Sequence, residues 1–242
     1  MLSHCHDSIT YILFGENICT MSRWNRAQQA ERRHSAHTSV VSDQEAAKNR
    51  FESSWEEDIS VLSDKNVLAV GGGTGLVHGL DHPKSLVSVD PLYEAKQILP
   101  TQTNAEIVCG GGEHLSFKEN SFGIVISHNV LDHTHNPNAV LDEISRVLKR
   151  DGQFLFTVNT FSIPRFIRNK LGLIDTLHPH HFNTKEVEQM LHSSGFRIEK
   201  RDEKSHWFNT ESTLSLLKRR EFKKVAGKYT QIKLFSAICR LD

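Results

Sequence analysis

Short apolar runs alternate with longer polar stretches along the chain from residue 66 onward. Each run has the length of a strand and ends at glycine or at polar residues, which is typical of a buried strand. On this pattern we predict strands at residues 67–70, 86–89, 106–108, 123–127 and 154–158, a late strand that opens at residues 196–198, and a closing strand at residues 232–238.

Two of the intervening stretches have the spacing of an amphipathic helix. Residues 138–149 place their apolar side chains on one face, and Asp151-Gly152 is expected to stop this helix. Residues 184–193 form the second, with Asn183 or Thr184 as its cap. Strands that alternate with helices predict an α/β fold: a mostly parallel sheet, covered by helices on both faces, with ligands at the carboxyl ends of the strands.

The first part of the chain differs from the rest in composition. We interpret residues 1–21 as an N-terminal extension. Residues 22–60 are polar and charged, with Trp24, Phe51 and Trp55 spaced loosely as on helical faces, and we predict a helical N-terminal cap there. Residues 61–242 then form the α/β domain.

A glycine-rich loop follows the first predicted strand. Gly71, Gly73 and Gly75 leave backbone that a ligand can approach, where a Cβ would block it. The N–H groups of a helix that follows suit a negative group. Leu76 stands where the dinucleotide-binding pattern G-x-G-x-x-G has a small residue. The loop is therefore either a binding loop or a tight turn without a ligand.

An acidic residue ends the second predicted strand. Asp90 can accept hydrogen bonds from both hydroxyls of a ribose, as an acid at this place does in nucleotide-binding α/β folds. Because Pro91 follows, Asp90 can also cap a helix that we predict at residues 93–99. Both interpretations stay open.

Several stretches, in this order, resemble the class I S-adenosylmethionine-dependent methyltransferases, in particular those of type 11. They are residues 67–76, 87–90, 113–122, 126–133, 141–152 and the turn at Gly195-Phe196. The resemblance covers about residues 60–240. It implies a Rossmann-like class I methyltransferase fold with a seven-stranded sheet, S-adenosylmethionine as the cofactor, and residues 61–242 as the domain that binds it.

The resemblance also implies which residues bind the cofactor. They are Gly71, Gly73, Gly75, Asp90, Pro91, Leu92, Gly112, Glu113 and His128. The family often has an aspartate where Gly111 stands, which accepts a hydrogen bond from the adenine amine. Backbone groups around Gly112, or Glu113, are expected to take that role here.

The chain holds 15 histidines, and two groups of them fall near the expected site. The first group follows the fourth predicted strand and consists of His128, His133 and His135. Class I methyltransferases share no universal catalytic residue, and a base is needed only where the acceptor must lose a proton. Residues just after the fourth strand line the acceptor pocket in the family, so His128 is our first candidate for that base and His133 our second. For His133, a structural hydrogen bond that fixes the loop is the alternative interpretation.

The second group consists of His178, His180 and His181. Three histidines so close together suggest a metal, but no neighbouring cysteine or acid completes a local ligand set. We therefore predict no metal site, and we expect these side chains to pack and to line the pocket.

Composition narrows the range of partners. Lys plus Arg and Asp plus Glu both number 29, so the formal net charge is zero, which argues against a protein built to bind nucleic acid. No apolar stretch is long enough for a transmembrane helix. The four cysteines form no C-x-x-C pair, which suits a reducing compartment. We expect a soluble, cytoplasmic protein.

The expected function is methyl transfer from S-adenosylmethionine to a small-molecule acceptor such as a sugar, a lipid or a quinone-like compound. Two alternatives stay open. One is a methyltransferase fold without turnover that serves as a binding module. The other is a nicotinamide-dependent oxidoreductase, against which Leu76 and the match at residues 141–152 count.

Overall fold

Seven strands form one sheet at the centre of the molecule. The computed structural model describes residues 23–35, 44–72, 76, 83–93, 105–171, 175, 177–205 and 232–242. The strands are β1 (Asn66–Val70), β2 (Ser85–Val89), β3 (Ala105–Val108), β4 (Phe122–His128), β5 (Leu148–Phe161), β6 (Phe196–Ser205) and β7 (Ile232–Leu241). They lie in the order β3-β2-β1-β4-β5-β7-β6.

Five α-helices accompany the sheet in the described ranges. They are α1 (Arg23–Ser35), α2 (Gln44–Trp55), α3 (Pro137–Val147), α4 (Arg165–Leu171) and α5 (Thr184–Ser193). Two 3₁₀ turns, Ile59–Leu62 and Leu131–His133, precede β1 and follow β4. None of the helices within these ranges is long and apolar enough to cross a membrane.

The pairing of the strands confirms the predicted α/β class. The strands from β1 to β5 pair parallel with their neighbours. Strand β7 pairs antiparallel with both β5 and β6. Every predicted strand is present. Strands β5 and β7 are longer than predicted, since β5 runs from Leu148 to Phe161 and β7 reaches Leu241, and the strand that opens at Phe196 runs to Ser205.

Both faces of the sheet are apolar and covered, as the sequence predicts. Successive side chains of a strand point to opposite faces. Leu68 and Val70 of β1 therefore join a core cluster with α3 and α5. Val67 and Ala69 join a second cluster with α2, whose Phe51 is fully buried. Full burial of one such side chain contributes about 1.5–3 kcal/mol, so α2 is held against the sheet by its apolar face.

Helix α5 has the predicted bounds, and its cap is Asn183. The Asn183 side chain accepts a hydrogen bond of 2.8 Å from the Glu186 amide, and the Glu186 carboxylate accepts one of 3.0 Å from the Asn183 amide. This reciprocal pair is a capping box, which satisfies amides that the first turn of a helix leaves without partners.

Helix α3 ends earlier than predicted. It stops at Val147, and Leu148 already belongs to β5, so the prediction that Asp151-Gly152 ends the helix is wrong. Leu148 is fully buried and pairs with β4, and the pairing resumes only at Gln153. The residues between them form an irregularity inside the strand. Burial of Leu148 thus selects an extended backbone where local spacing predicts a helix.

Candidate functional site

The carboxyl ends of β1, β2 and β4 meet at one edge of the sheet, because the strands are parallel. The Gly71 amide donates a hydrogen bond of 2.7 Å to the Val89 carbonyl, which continues the pairing of β1 with β2 past the end of the strand. At the end of β2, the Asp90 amide donates one of 3.1 Å to the Val108 carbonyl. These contacts place the glycine loop and Asp90 side by side at the edge where α/β folds bind ligands.

Packing requires glycine at both described positions of the glycine loop. Gly71 has φ of +78°, and an added Cβ would lie 2.3 Å from Cγ2 of Val130. At Gly72, an added Cβ would lie 1.8 Å from Oγ of Ser88. The predictions for Gly73 and Gly75 lie outside the described residues. A tight turn therefore accounts for Gly71 and Gly72, and their contact with a cofactor stays a prediction.

Asp90 is buried and caps the turn that follows β2. It is 7% exposed, and its Oδ1 accepts a hydrogen bond of 2.8 Å from the Leu92 amide, with Pro91 between them. This bond caps the turn at residues 91–93, whereas residues 94–99 of the predicted helix lie outside the described residues. Beneath the turn, Ser88 Oγ and Tyr93 Oη lie 2.5 Å apart, and burial raises the pKa of Tyr93 far above its usual value.

The loop after β3 is tied to the start of α3. Oε1 of Glu113 accepts hydrogen bonds of 2.8 Å from the His135 amide and 3.3 Å from the Asn136 amide. A Cβ on Gly112 would lie 2.9 Å from Val70, so Gly112 is also needed for packing. Glu113 therefore has a structural role that the sequence did not indicate, and its contact with adenine stays a prediction.

A charged pair in α3 holds the loop between β3 and β4. Arg146 donates hydrogen bonds to Glu143 and to the carbonyls of Leu115 and Phe117, all between 2.7 and 2.8 Å. The Leu115 amide donates one of 2.7 Å to Glu143. Hydrogen bonding to Arg146 lowers the pKa of Glu143 below its usual value. A glutamate and an arginine three residues apart on a helix are the sequence signal for this pair.

His128 lies at the end of β4, beneath α2. Its Nε2 is 3.3 Å from Oγ of Ser54, and its ring packs edge-on against Trp55 with the centroids 5.8 Å apart. Trp55 in turn donates a hydrogen bond of 3.2 Å to the Phe156 carbonyl of β5. Helix α2 thus orients the imidazole that the sequence singles out as first candidate base.

The second candidate base, His133, belongs to a cluster that joins two distant segments. Its Nε2 lies 3.8 Å from Oδ1 of Asp132, and Nε2 of His178 lies 3.9 Å from Oδ2 of the same carboxylate. The two imidazole rings are in contact, with centroids 4.5 Å apart. The loop-fixing role considered for His133 is carried by its carbonyl, which accepts a hydrogen bond of 3.0 Å from Gln28.

Asp175 organises the histidines that precede α5. Its oxygens lie 2.8 and 3.0 Å from Nδ1 of His178, and Oδ2 lies 3.1 Å from Nε2 of His181. Burial alone would raise the pKa of Asp175, but hydrogen bonds from the two histidines outweigh it and hold the pKa far below its usual range. Asp175 is a partner of this group that was not predicted from the sequence.

His180 and His181 pack, as predicted, and line a cavity. His180 stacks on Phe182, and His181 packs edge-on against Phe161. The cavity of about 720 Å³ lies between α3, α4 and α5. Its polar lining comes from Asn138, Asp142, Arg165, Arg168, Asn169, Glu186, Gln189, Ser193 and Ser194.

Comparison with known proteins identifies the segment that carries these features. The family model of a methyltransferase domain matches residues 68–156, which run from β1 to β5. The uncharacterized protein MJ1252 of Methanocaldococcus jannaschii is 36% identical over 129 residues, or 51% of this chain and 50% of its own. The chain spans about half the length of the curated relatives it matches.

Solved structures share the fold at low sequence identity. YcgJ from Bacillus subtilis is similar with a TM-score of 0.58 at 18% identity, over 76% of this chain and 96% of its own. An S-adenosylmethionine-dependent methyltransferase from Mesorhizobium loti gives a TM-score of 0.52 at 17% identity, over 74% of this chain and 92% of its own. The sheet and its helices therefore form the fold that the resemblance in the sequence implies.

Proposed function

We propose that this chain is a class I S-adenosylmethionine-dependent methyltransferase and that it transfers the methyl group of S-adenosylmethionine to a small-molecule acceptor. The observation that carries the proposal is that the methyltransferase domain matches residues 68–156, the segment that builds the carboxyl edge of β1, β2 and β4. When bound, the cofactor supplies a methyl group on a sulfonium, which leaves in a direct displacement as the bond to the acceptor forms.

The residues at the edge fit an adenosyl cofactor. Asp90 presents a buried carboxylate beside the glycine loop, and its Oδ1 accepts a hydrogen bond from the Leu92 amide. A carboxylate there suits a ribose diol. Past β3, a Cβ on Gly110 would meet Val89 at 3.5 Å and no closer atom of the described residues, so bare backbone borders this side of the edge. We assign the flat adenine ring to this side, with Gly112 and Glu113 at its border.

The protein's own contribution is to position the reactants and to accept a proton. Holding nucleophile and methyl group in line contributes about 7–11 kcal/mol in well-oriented reactions. For an acceptor that must lose a proton, we assign the general base to His128, because Ser54 and Trp55 fix its ring at the end of β4. His133 is the alternative base.

The charge balance supports a small acceptor over a nucleic acid. The net charge of zero gives no support for a nucleic acid substrate. The acceptor that we propose is therefore a small molecule with a nucleophilic oxygen, nitrogen or carbon, of the sugar, lipid or quinone-like kind.

Calorimetric titration with S-adenosylmethionine, S-adenosylhomocysteine and NAD tests the proposal. We expect the two adenosyl ligands to bind and NAD not to bind. Binding of NAD alone would overturn the proposal in favour of an oxidoreductase. Transfer of a labelled methyl group to a panel of small-molecule acceptors is the second step, and tight adenosyl binding without transfer to any acceptor would support the binding-module alternative.

A further inference from the structure

Two segments far apart in the sequence bring a carboxylate and two imidazoles together. Asp132 and His133 lie in the 3₁₀ turn after β4, and His178 lies in the loop before α5. One donor atom from each of the three residues lies within 4.8 Å of the others. We propose that Asp132, His133 and His178 form a binding site for a divalent transition-metal ion, with Zn²⁺ as its probe.

The burial of Asp132 points to a cation. The Asp132 side chain is 2% exposed, and its Oδ1 accepts no hydrogen bond from any residue of the described ranges. Withdrawing a carboxylate from water without a partner is costly. The Nε2 atoms of His133 and His178 face its two oxygens at 3.8 and 3.9 Å. These separations are longer than hydrogen bonds, and a cation among the three donors compensates the buried charge.

The donor set and its spacing suit a zinc-like ion. Two imidazoles and one carboxylate are the ligands of a common type of catalytic zinc site, which keeps a further position open. Zinc bonds of about 2.0–2.2 Å in a tetrahedral arrangement place donor atoms about 3.3–3.6 Å apart. Each imidazole Nε2 lies a few tenths of an ångström beyond that spacing from one of the two Asp132 oxygens. With one donor atom per residue, the three atoms lie within 4.8 Å of one another, so side-chain rotations must draw them together to close the site.

A second acid orients one of the imidazoles. Asp175 lies 2.8 Å from Nδ1 of His178, so the proton of the neutral ring belongs on Nδ1 and the lone pair of Nε2 faces Asp132. Metal-bound histidines almost always have such a partner on the other ring nitrogen. The imidazoles are about a quarter exposed, at 21% for His133 and 25% for His178, which leaves a path for the ion.

The site changes the assignment of roles near β4. An imidazole whose lone pair binds a metal cannot accept a proton, so His133 then serves as a ligand, and His128 is left as the general base. The open position of the ion would bind an oxygen or nitrogen atom of the acceptor. This last step rests on the proposed function, whereas binding of the ion does not.

Zn²⁺ binding to the chelator-treated full chain, measured without S-adenosylmethionine, tests the site. We expect one tightly bound Zn²⁺ per chain, and Co²⁺ in its place should show the visible absorption of a low-coordinate N,O site. His178→Ala and Asp132→Asn should each weaken Zn²⁺ binding by more than about 100-fold, because even an outer partner contributes about 10–100-fold. Asp175→Asn should weaken Zn²⁺ binding by about 10–100-fold, as expected for an outer partner.

His192→Ala is the matched control, since His192 is an exposed histidine of α5 outside the cluster. It should leave Zn²⁺ affinity unchanged. Far-UV circular dichroism and chemical unfolding verify that each variant is folded. If Asp132→Asn does not fold, His178→Ala tests the site by itself. Zn²⁺ binding that survives His178→Ala, or no stoichiometric binding by the native chain, would overturn the site. Because no cofactor is present, neither result depends on whether methyl transfer occurs.

Discussion

The indole of Trp55 donates a hydrogen bond of 3.2 Å to the carbonyl oxygen of Phe156. This bond joins the last residue of α2 to the middle of β5, and the same indole packs against His128. Helix α2 is therefore part of the candidate site as well as part of the core, because it fixes the imidazole at the end of β4.

Trp55→Phe should lower the free energy of unfolding by about 1–2 kcal/mol, because it removes this hydrogen bond and part of a buried ring. Denaturant unfolding measures the loss. Trp24→Phe is the control, since the Trp24 Nε1 is buried but donates to no residue in the described part of the chain. Its effect should stay below about 0.5 kcal/mol. Equal losses in the two variants would mean that the Trp55 hydrogen bond contributes nothing.

Gly72→Ala should destabilise the fold by about 1–3 kcal/mol, because the new Cβ would lie 1.8 Å from Oγ of Ser88 and 2.8 Å from Oη of Tyr93. Adding Ser88→Ala removes the closest atom, so the double variant should be more stable than the sum of the single changes implies. Thermal and denaturant unfolding of the full cycle measure this coupling.

Gly110→Ala provides the comparison for that cycle, since among the residues that the structure describes its Cβ would meet nothing closer than Val89 at 3.5 Å. A change below about 0.5 kcal/mol is expected there. If the effects of Gly72→Ala and Ser88→Ala add, the contact with Ser88 does not explain why residue 72 is a glycine. A bound ligand would then be the explanation to test.

Glu186→Gln should lower stability at neutral pH by about 1–3 kcal/mol, because it takes a charge-assisted partner from Arg168, whose side chain is 2% exposed. Arg168 lowers the pKa of Glu186. A lowered folded-state pKa means that the stabilisation is complete above the unfolded pKa of about 4.3 and is lost as pH falls through the folded pKa. The gap between variant and native chain should therefore narrow below about pH 4.

Glu188→Gln on the same helix is the matched change, since its partner Arg201 is 57% exposed. Surface ion pairs contribute little, so a loss below about 0.5 kcal/mol is expected. Denaturant unfolding at a series of pH values compares the two. If the loss of unfolding free energy caused by Glu186→Gln stays constant as the pH falls into the acid range, the lost charge is not its cause.

The fold could be predicted largely from local patterns, because the elements that build it satisfy their own rules. Asn183 and Glu186 close a capping box within one turn, and α5 has its predicted bounds. The end of α3 could not be predicted in this way. Leu148 is apolar and continues the helical spacing, but the sheet buries it against β4, and that tertiary contact decides its backbone.

The site was harder to predict for the same physical reason. Gly71 and Asp90 are marked by their position after strands, so a sequence pattern finds them. No pattern places His178 beside Asp132, since the contact exists only once the loop before α5 packs on the turn after β4. The local acid Asp175 contacts Nδ1 of His178, and the fold brings Asp132 of the other segment to face its Nε2.

Asp90→Asn should weaken the binding of S-adenosylhomocysteine by about 1–3 kcal/mol, because it removes the charge that we assign to the ribose diol. The turn should survive, since the amide oxygen of asparagine can still accept from the Leu92 amide. Asp58→Asn is the matched control: Asp58 caps the 3₁₀ turn before β1 by accepting from the Ser60 amide at 2.8 Å, and it has no proposed role at the edge. Calorimetry of the two variants, with unfolding curves to compare their stability, separates the two interpretations of Asp90. If a stable Asp90→Asn variant binds S-adenosylhomocysteine with the affinity of the native chain, the only role of Asp90 is to cap the turn.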